Sequence, residues 1–148
     1  MNTQDPLTIR AIRQLHSGWK QEDRKVRREL DEIRVWMTQV SQFGVPRFGE
    51  TGERLLGLRT CLVEHFQRED ALCAQLAAFY ERPMSKVDAL CRQSDRDHQD
   101  LLERIDQMIG ELSALEPAFE SFQAAVDQIE ALISAIEQHE SDESEGLL

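Results

Sequence analysis

Apolar residues recur at intervals of three and four along four long stretches of this chain, and glycine or proline interrupts the pattern between them. Such a pattern commits the chain to long amphipathic helices. The first stretch opens on Asp5-Pro6 and runs through Ile9, Ile12, Trp19, Val26, Leu30, Ile33, Met37 and Val40, ending in SQFGVPRFGETG. The second spans about Glu53 to Tyr80 through Leu58, Leu62, Leu72, Leu76 and Phe79, and Arg82-Pro83 breaks it. The third starts near Ser85 and follows Val87, Cys91, Ser94, His98, Leu101 or Leu102, Ile105, Ile109 and Leu112 as far as Pro117. The fourth carries Phe119, Phe122, Val126, Ile129, Leu132, Ile133 and Ile136, then His139 and Glu143. Four such helices with short connections predict an all-α, antiparallel up-down-up-down four-helix bundle. Ser17-Gly18 is expected to break the first helix, which leaves residues 1–19 as an N-terminal extension or short helix and 20–148 as the bundle.

Within these apolar stripes stand residues that packing alone does not call for. His65 and Glu69 lie four apart among leucines of the second helix, and His139 and Glu143 repeat the spacing on the fourth. Residues four apart share a helix face, so each pair aims an imidazole and a carboxylate at neighbouring points of the bundle core. Burying them without partners costs several kcal/mol, by roughly the amounts known for unpaired polar and ionised groups, which makes a metal the leading reading. His98 joins them from the third helix. Asp23 joins from the first, one turn after Trp19 and one turn before Val26. His16 is the alternative there, but it lies about 10 Å farther along the helix at 1.5 Å per residue, so Asp23 is favoured. The set His65, Glu69, His98, His139, Glu143 and Asp23 thus draws on all four helices. Its mixed nitrogen and oxygen donors suit a pair of iron ions, with manganese as the alternative, and Glu69 and Glu143 as candidate bridges.

Charge narrows the choice of partners. The net charge is −11, which argues against nucleic acid, whose phosphates need a basic face. The charge is uneven: residues 1–60 hold eleven Lys/Arg against eight Asp/Glu, and the remainder six against twenty. The basic run RKVRR at 24–28 reads as the solvated face of a helix packed near acidic ones. No apolar run of the ~20 residues that a membrane helix needs occurs, and the N-terminus has no signal-peptide core, so a cytoplasmic location is expected. Cys61, Cys73 and Cys91 are odd in number and form no C-x-x-C pair, which predicts reduced thiols serving as small buried apolar groups.

The ligand order and the segments EHFQREDAL, DHQDLLERI and EQHESDE resemble the hemerythrin-like family, the HHE cation-binding domains, over roughly residues 20–145. The resemblance implies that His65, Glu69, His98, His139 and Glu143 hold two irons, with Glu69 and Glu143 bridging. The chain departs from the family in two places. Asp23 stands where the first helix usually has a histidine, and the second histidine that oxygen carriers place on the third helix is replaced by Ser94 or Leu102, with Asp95 as a substitute at the stripe's edge. A centre with three histidines is more anionic than an oxygen carrier's and keeps an open position. The expected function is therefore a non-haem di-iron protein that binds or reacts with dioxygen, peroxide or nitric oxide, in oxygen or redox sensing, stress response or iron handling, with peroxidase- or ferroxidase-like activity as its enzymatic form. The competing reading is a helical interaction protein that keeps a vacant site and acts through a protein partner. No nucleophilic triad, phosphate-binding glycine loop or zinc-ribbon spacing supports a hydrolase, kinase or finger.

Overall fold

The computed structural model describes residues 6–44, 46–78, 85–116 and 119–147. They form four helices: α1 (Pro6–Gln42), α2 (Phe48–Ala78), α3 (Ser85–Ser113) and α4 (Phe122–Leu147). Each packs on its neighbours in the order α1, α2, α3, α4 and back to α1, which is the ring of an up-down-up-down four-helix bundle. No strand occurs among the described residues. Nor is any helix there long and apolar enough to cross a membrane. Asp5, Phe79, Tyr80, the Arg82-Pro83 break and Pro117 lie outside the described residues.

Three boundaries differ from those expected, each for a local reason. α1 runs through Ser17-Gly18 without a break, and Gly18 faces Leu72 of α2, which would stand 3.5 Å from a Cβ there. It ends instead at Gly44, whose φ of 67° is the left-handed conformation that closes a helix. α2 begins a turn and a half early, at Phe48. Gly52 makes this work: a Cβ there would stand 3.1 Å from the Ser113 hydroxyl, so glycine lets α2 and α3 approach closely. α4 starts at Phe122 rather than Phe119 because the Ser121 hydroxyl accepts the Ala124 N–H at 3.1 Å, capping the helix. Phe119 still packs in, stacked on Phe48 with ring centroids 6.0 Å apart.

The core is divided in two. The larger part holds Val26, Leu30, Leu55, Leu62, Phe66, Ile105, Ile129 and Ile136 with their neighbours; the smaller holds Leu15, Trp19, Cys73 and Leu76. Full burial of each such aliphatic side chain contributes about 1.5–3 kcal/mol, enough together to carry a costly polar layer between the two parts. That layer is where the chain passes from one apolar cluster to the other: Glu22 between Trp19 and Val26, His65 and Glu69 between Leu62 and Cys73, Ser94 and His98 before Leu101, and His139, Glu140 and Glu143 after Ile136.

The thiols depart from expectation. Cys73 and Cys91 are joined in a disulfide that ties α2 to α3 with their Cα atoms 6.0 Å apart, and Cys61 is free. The two cysteines face each other because each lies one turn from the polar layer, Cys73 after Glu69 and Cys91 before Ser94. The basic side of α1 meets acidic α4, where Arg34 holds Glu130 and Glu137 at 2.7 and 2.6 Å.

Candidate metal centre

Four carboxylates and three imidazoles converge in the polar layer, all of them buried. His65 Nε2 lies 2.7 Å from Glu140 Oε1 and 2.9 Å from Glu69 Oε1. His98 Nε2 lies 3.2 Å from the same Glu69 oxygen and 3.4 Å from Glu143 Oε1. His139 Nε2 lies 3.1 Å from Glu143 Oε1 and 3.8 Å from Glu69 Oε1. Glu69 is therefore the hub. The donors fall into two groups whose ligand atoms lie within 4.8 Å of one another: Glu69, His98, His139 and Glu143, and His65, Glu69 and Glu140.

The outer edge of each ring is equally specific. The Nδ1–H of His65 donates to Glu22 at 3.2 Å, that of His98 to Asp70 at 3.1 Å and that of His139 to Asp97 at 3.0 Å. A carboxylate can only accept, so each contact fixes the proton on Nδ1 and turns Nε2 inward, the arrangement that metal-binding histidines use to set ring orientation and basicity. Packing holds the rings as well: Phe66 stacks on His98 at 4.0 Å between centroids and meets His139 edge-on at 5.8 Å. Trp19 Nε1–H donates to Glu69 Oε2 at 3.2 Å and Glu143 Oε2 at 3.3 Å, leaving the other oxygen of each facing the imidazoles. The Ser94 hydroxyl donates to Glu143 Oε1 and lies 3.2 Å from His98 Nε2.

Without a metal, protons do the neutralising. Burial alone pushes His65 down, but hydrogen bonds to Glu140 and Glu69 and their charges outweigh it and bring the pKa up to about 10. Burial is likewise outweighed at His98 and His139 by Glu143 and Glu69, which raise them to about 9 and about 11. Glu69 is held well below the carboxylate range: burial opposes this, and the three imidazoles override it. Glu140 goes the other way, to about 7, because burial and the charges of Glu69 and Glu143 exceed the help from His65.

Even so, the close contacts of Glu69 Oε1 and His139 Nε2, at 2.9 Å to His65 and 3.1 Å to Glu143, lack the angles of a good hydrogen bond. Buried polar groups are almost always satisfied, and a cation at the hub would satisfy both of these, which lie 3.8 Å apart. The donor set fits that cation, being mixed imidazole and carboxylate with Nε2 atoms already aimed.

A family model, Hemerythrin HHE cation binding domain, matches residues 14–148. The chain belongs to the hemerythrin HHE cation-binding domain family. No match was found among curated proteins or among solved structures. Membership implies metal-ion binding, and the buried cluster supplies donors for it.

Of the residues singled out from sequence, this hemerythrin domain brings His65, Glu69, His98, His139 and Glu143 together, and it leaves Asp23 out. Asp23 turns aside to hold Arg27 at 3.0 Å, and the inward position on α1 belongs to Glu22. The buried α1 stripe steps from Trp19 by three to Glu22 and by four to Val26; the opposite order, four then three, would have selected Asp23. His16 is half-buried and outside both donor groups, and Asp95 is exposed, so neither substitutes. Ser94, not Leu102, faces the centre where the second α3 histidine was expected. Sequence reasoning passed over Glu22, Glu140, Trp19, Asp70 and Asp97. Glu140 had a signal, standing four residues after Ile136 and seven after Ile133.

Proposed function

We propose that this hemerythrin domain is a non-haem di-iron protein that binds or reacts with dioxygen, peroxide or nitric oxide, in sensing, stress response or iron handling. The observation that carries this reading is the triple pattern of an imidazole with Nδ1 on a carboxylate and Nε2 turned toward one hub. Glu69, present in both donor groups, would bridge; His98, His139 and Glu143 would hold one ion, and His65 and Glu140 the other. Iron supplies the electrons and the coordination position that such small molecules require. Manganese is the alternative metal for the same donors.

The protein's own contribution is orientation and dryness. Phe66 and Trp19 fix the rings and carboxylates, and the two apolar clusters keep bulk water away from the layer between them. Ser94 places a hydroxyl where a further imidazole would otherwise bind, leaving a small proton-bearing group beside His98 and Glu143. A small molecule held there would find a hydroxyl able to exchange hydrogen bonds with it. We keep a cytoplasmic setting as part of this proposal; there the Cys73–Cys91 bond would meet a reducing thiol pool.

The test is a ferric absorption band in the iron-loaded protein that shifts on adding azide or peroxide. A colourless protein after iron reconstitution would refute the reading. It would favour the alternative, an interaction protein, for which the candidate surface is a cleft of about 780 Å³ lined by Arg24, Arg27, Arg28, Trp36 and Arg54 among others. In the His65→Ala, Glu69→Ala variant, metal uptake is lost if these residues are ligands.

A further inference from the structure

The centre is buried, yet one side of it is thin. Between α1 and α2 lies a cleft of about 370 Å³ whose lining includes Glu22, Lys25, Gly57, Cys61, His65 and Arg68. Four other clefts on the described surface are lined by no residue of the centre. Here the His65 ring is the single layer between outside and inside: its outer edge is 3.2 Å from Glu22 and its inner edge 2.7 Å from Glu140. The other two outer carboxylates, Asp70 and Asp97, line none of these five clefts.

Gly57 lines this cleft. It stands two turns before His65 in the middle of α2, where glycine costs about 1 kcal/mol relative to alanine. A Cβ at residue 57 would meet nothing within 4 Å, so no close helix approach accounts for it, in contrast to Gly52. Above His65, the Glu22 carboxylate is held by Lys25 Nζ at 3.3 Å and Arg68 Nη1 at 3.5 Å. Both cations are about half exposed, on long side chains that can swing away into solvent. Glu22 is thus a carboxylate at the border, tied inward to a ligand-type ring and outward to movable cations.

Resting on the metal-binding reading above, we propose that this α1–α2 cleft is the port through which a divalent metal ion reaches the centre, with Glu22 the carboxylate that receives it. An arriving cation displaces Lys25 and Arg68 from Glu22 by charge competition, and is then one imidazole away from Glu69 and Glu140.

The test is the rate of cobalt(II) uptake by the metal-free full-length chain, followed by stopped-flow absorbance, with the final stoichiometry measured separately. Gly57→Phe places a ring in the cleft two turns from His65 without replacing a ligand. It should slow uptake about tenfold or more, as when association must wait on a conformational opening, while the final cobalt content is unchanged. Glu22→Gln, which can still accept from His65, should slow uptake likewise. Leu56→Phe, on the exposed side of the same helix, should take up cobalt at the wild-type rate. N-ethylmaleimide on Cys61 fills the same cleft in the unmutated fold and should reproduce the slowing even if Gly57→Phe fails to fold. Wild-type rates in the alkylated protein and in Glu22→Gln would overturn the port while leaving the metal reading intact. A wild-type protein that takes up no cobalt at equilibrium would overturn the metal reading and the port with it.

Discussion

Loading the centre with metal should expel about three protons per chain, because three imidazoles held as imidazolium must each surrender an Nε2 proton to become ligands. His65, His98 and His139 are raised to about 10, 9 and 11 by the carboxylates around them, so all three are charged in the metal-free protein at pH 7.5. Their Nδ1 protons stay on Glu22, Asp70 and Asp97, which leaves one displaced proton per ring. Each released proton makes the apparent binding constant tenfold larger per pH unit, so three give roughly 10³, or about 4 kcal/mol, per unit between pH 7.5 and 8.5. Glu140, raised to about 7, adds part of a fourth proton only as the pH falls toward neutrality. Titration calorimetry with cobalt(II) in buffers of different ionisation enthalpy reads the number directly. Stoichiometric cobalt binding with fewer than about one proton released would refute the reasoning, since at least two of the rings would then not be both charged beforehand and ligated afterwards.

The remaining predictions follow from the same contacts. The metal-free protein should be most stable near pH 5: the imidazoles, raised in the fold, contribute fully below their unfolded value near 6.5 and lose that contribution as the pH climbs through about 9 to 11, Glu140, raised to about 7, costs stability as the pH rises from about 4.5, and Glu69, lowered in the fold, loses its contribution as the pH falls below about 4.5. Urea unfolding across pH checks this, and a metal-free optimum above pH 8 would contradict it. Phe66→Ala should cost about 3–5 kcal/mol and weaken metal binding as well, since the ring supports both His98 and His139. Replacing Cys73 and Cys91 by alanine should cost about 3 kcal/mol, the chain-entropy value for closing a loop of this length, and treatment with a thiol reductant should lower the melting temperature of the wild type but not of the double variant. Metal loading should raise hydrogen-exchange protection over residues 137–146, the turns that carry His139, Glu140 and Glu143; equal protection with and without metal would contradict it.

The helices were legible because their apolar period persists over seven turns or more, and the His65/Glu69 and His139/Glu143 pairs stood out because the i, i+4 spacing places both members on a stripe otherwise made of aliphatic residues. The inward residue of α1 was harder. Glu22 and Asp23 both satisfy a three-or-four step from Trp19 and to Val26, and only the packed helix decides which of two side chains 100° apart faces in. Asp70 and Asp97 were hidden for another reason: each lies off the stripe and reaches the centre through the far nitrogen of a ring on a different helix, a relation that no spacing along one helix encodes. The same holds for Trp19, whose N–H joins Glu69 and Glu143 across the bundle, and for Cys73 with Cys91, which meet only because α2 and α3 pack antiparallel. The early start of α2 was obscured by Gly49 and Gly52, which read as a turn when the close approach of α3 is not in view.

Elemental analysis of the protein purified from iron-supplemented cells, paired with its visible spectrum, tests the proposed pair of metal ions in the polar layer most directly. About two irons per chain with a ferric charge-transfer band is the expected result for a site of two donor groups sharing Glu69. No transition metal, even after anaerobic reconstitution with ferrous iron, would contradict it and leave a bundle whose imidazoles and carboxylates neutralise one another.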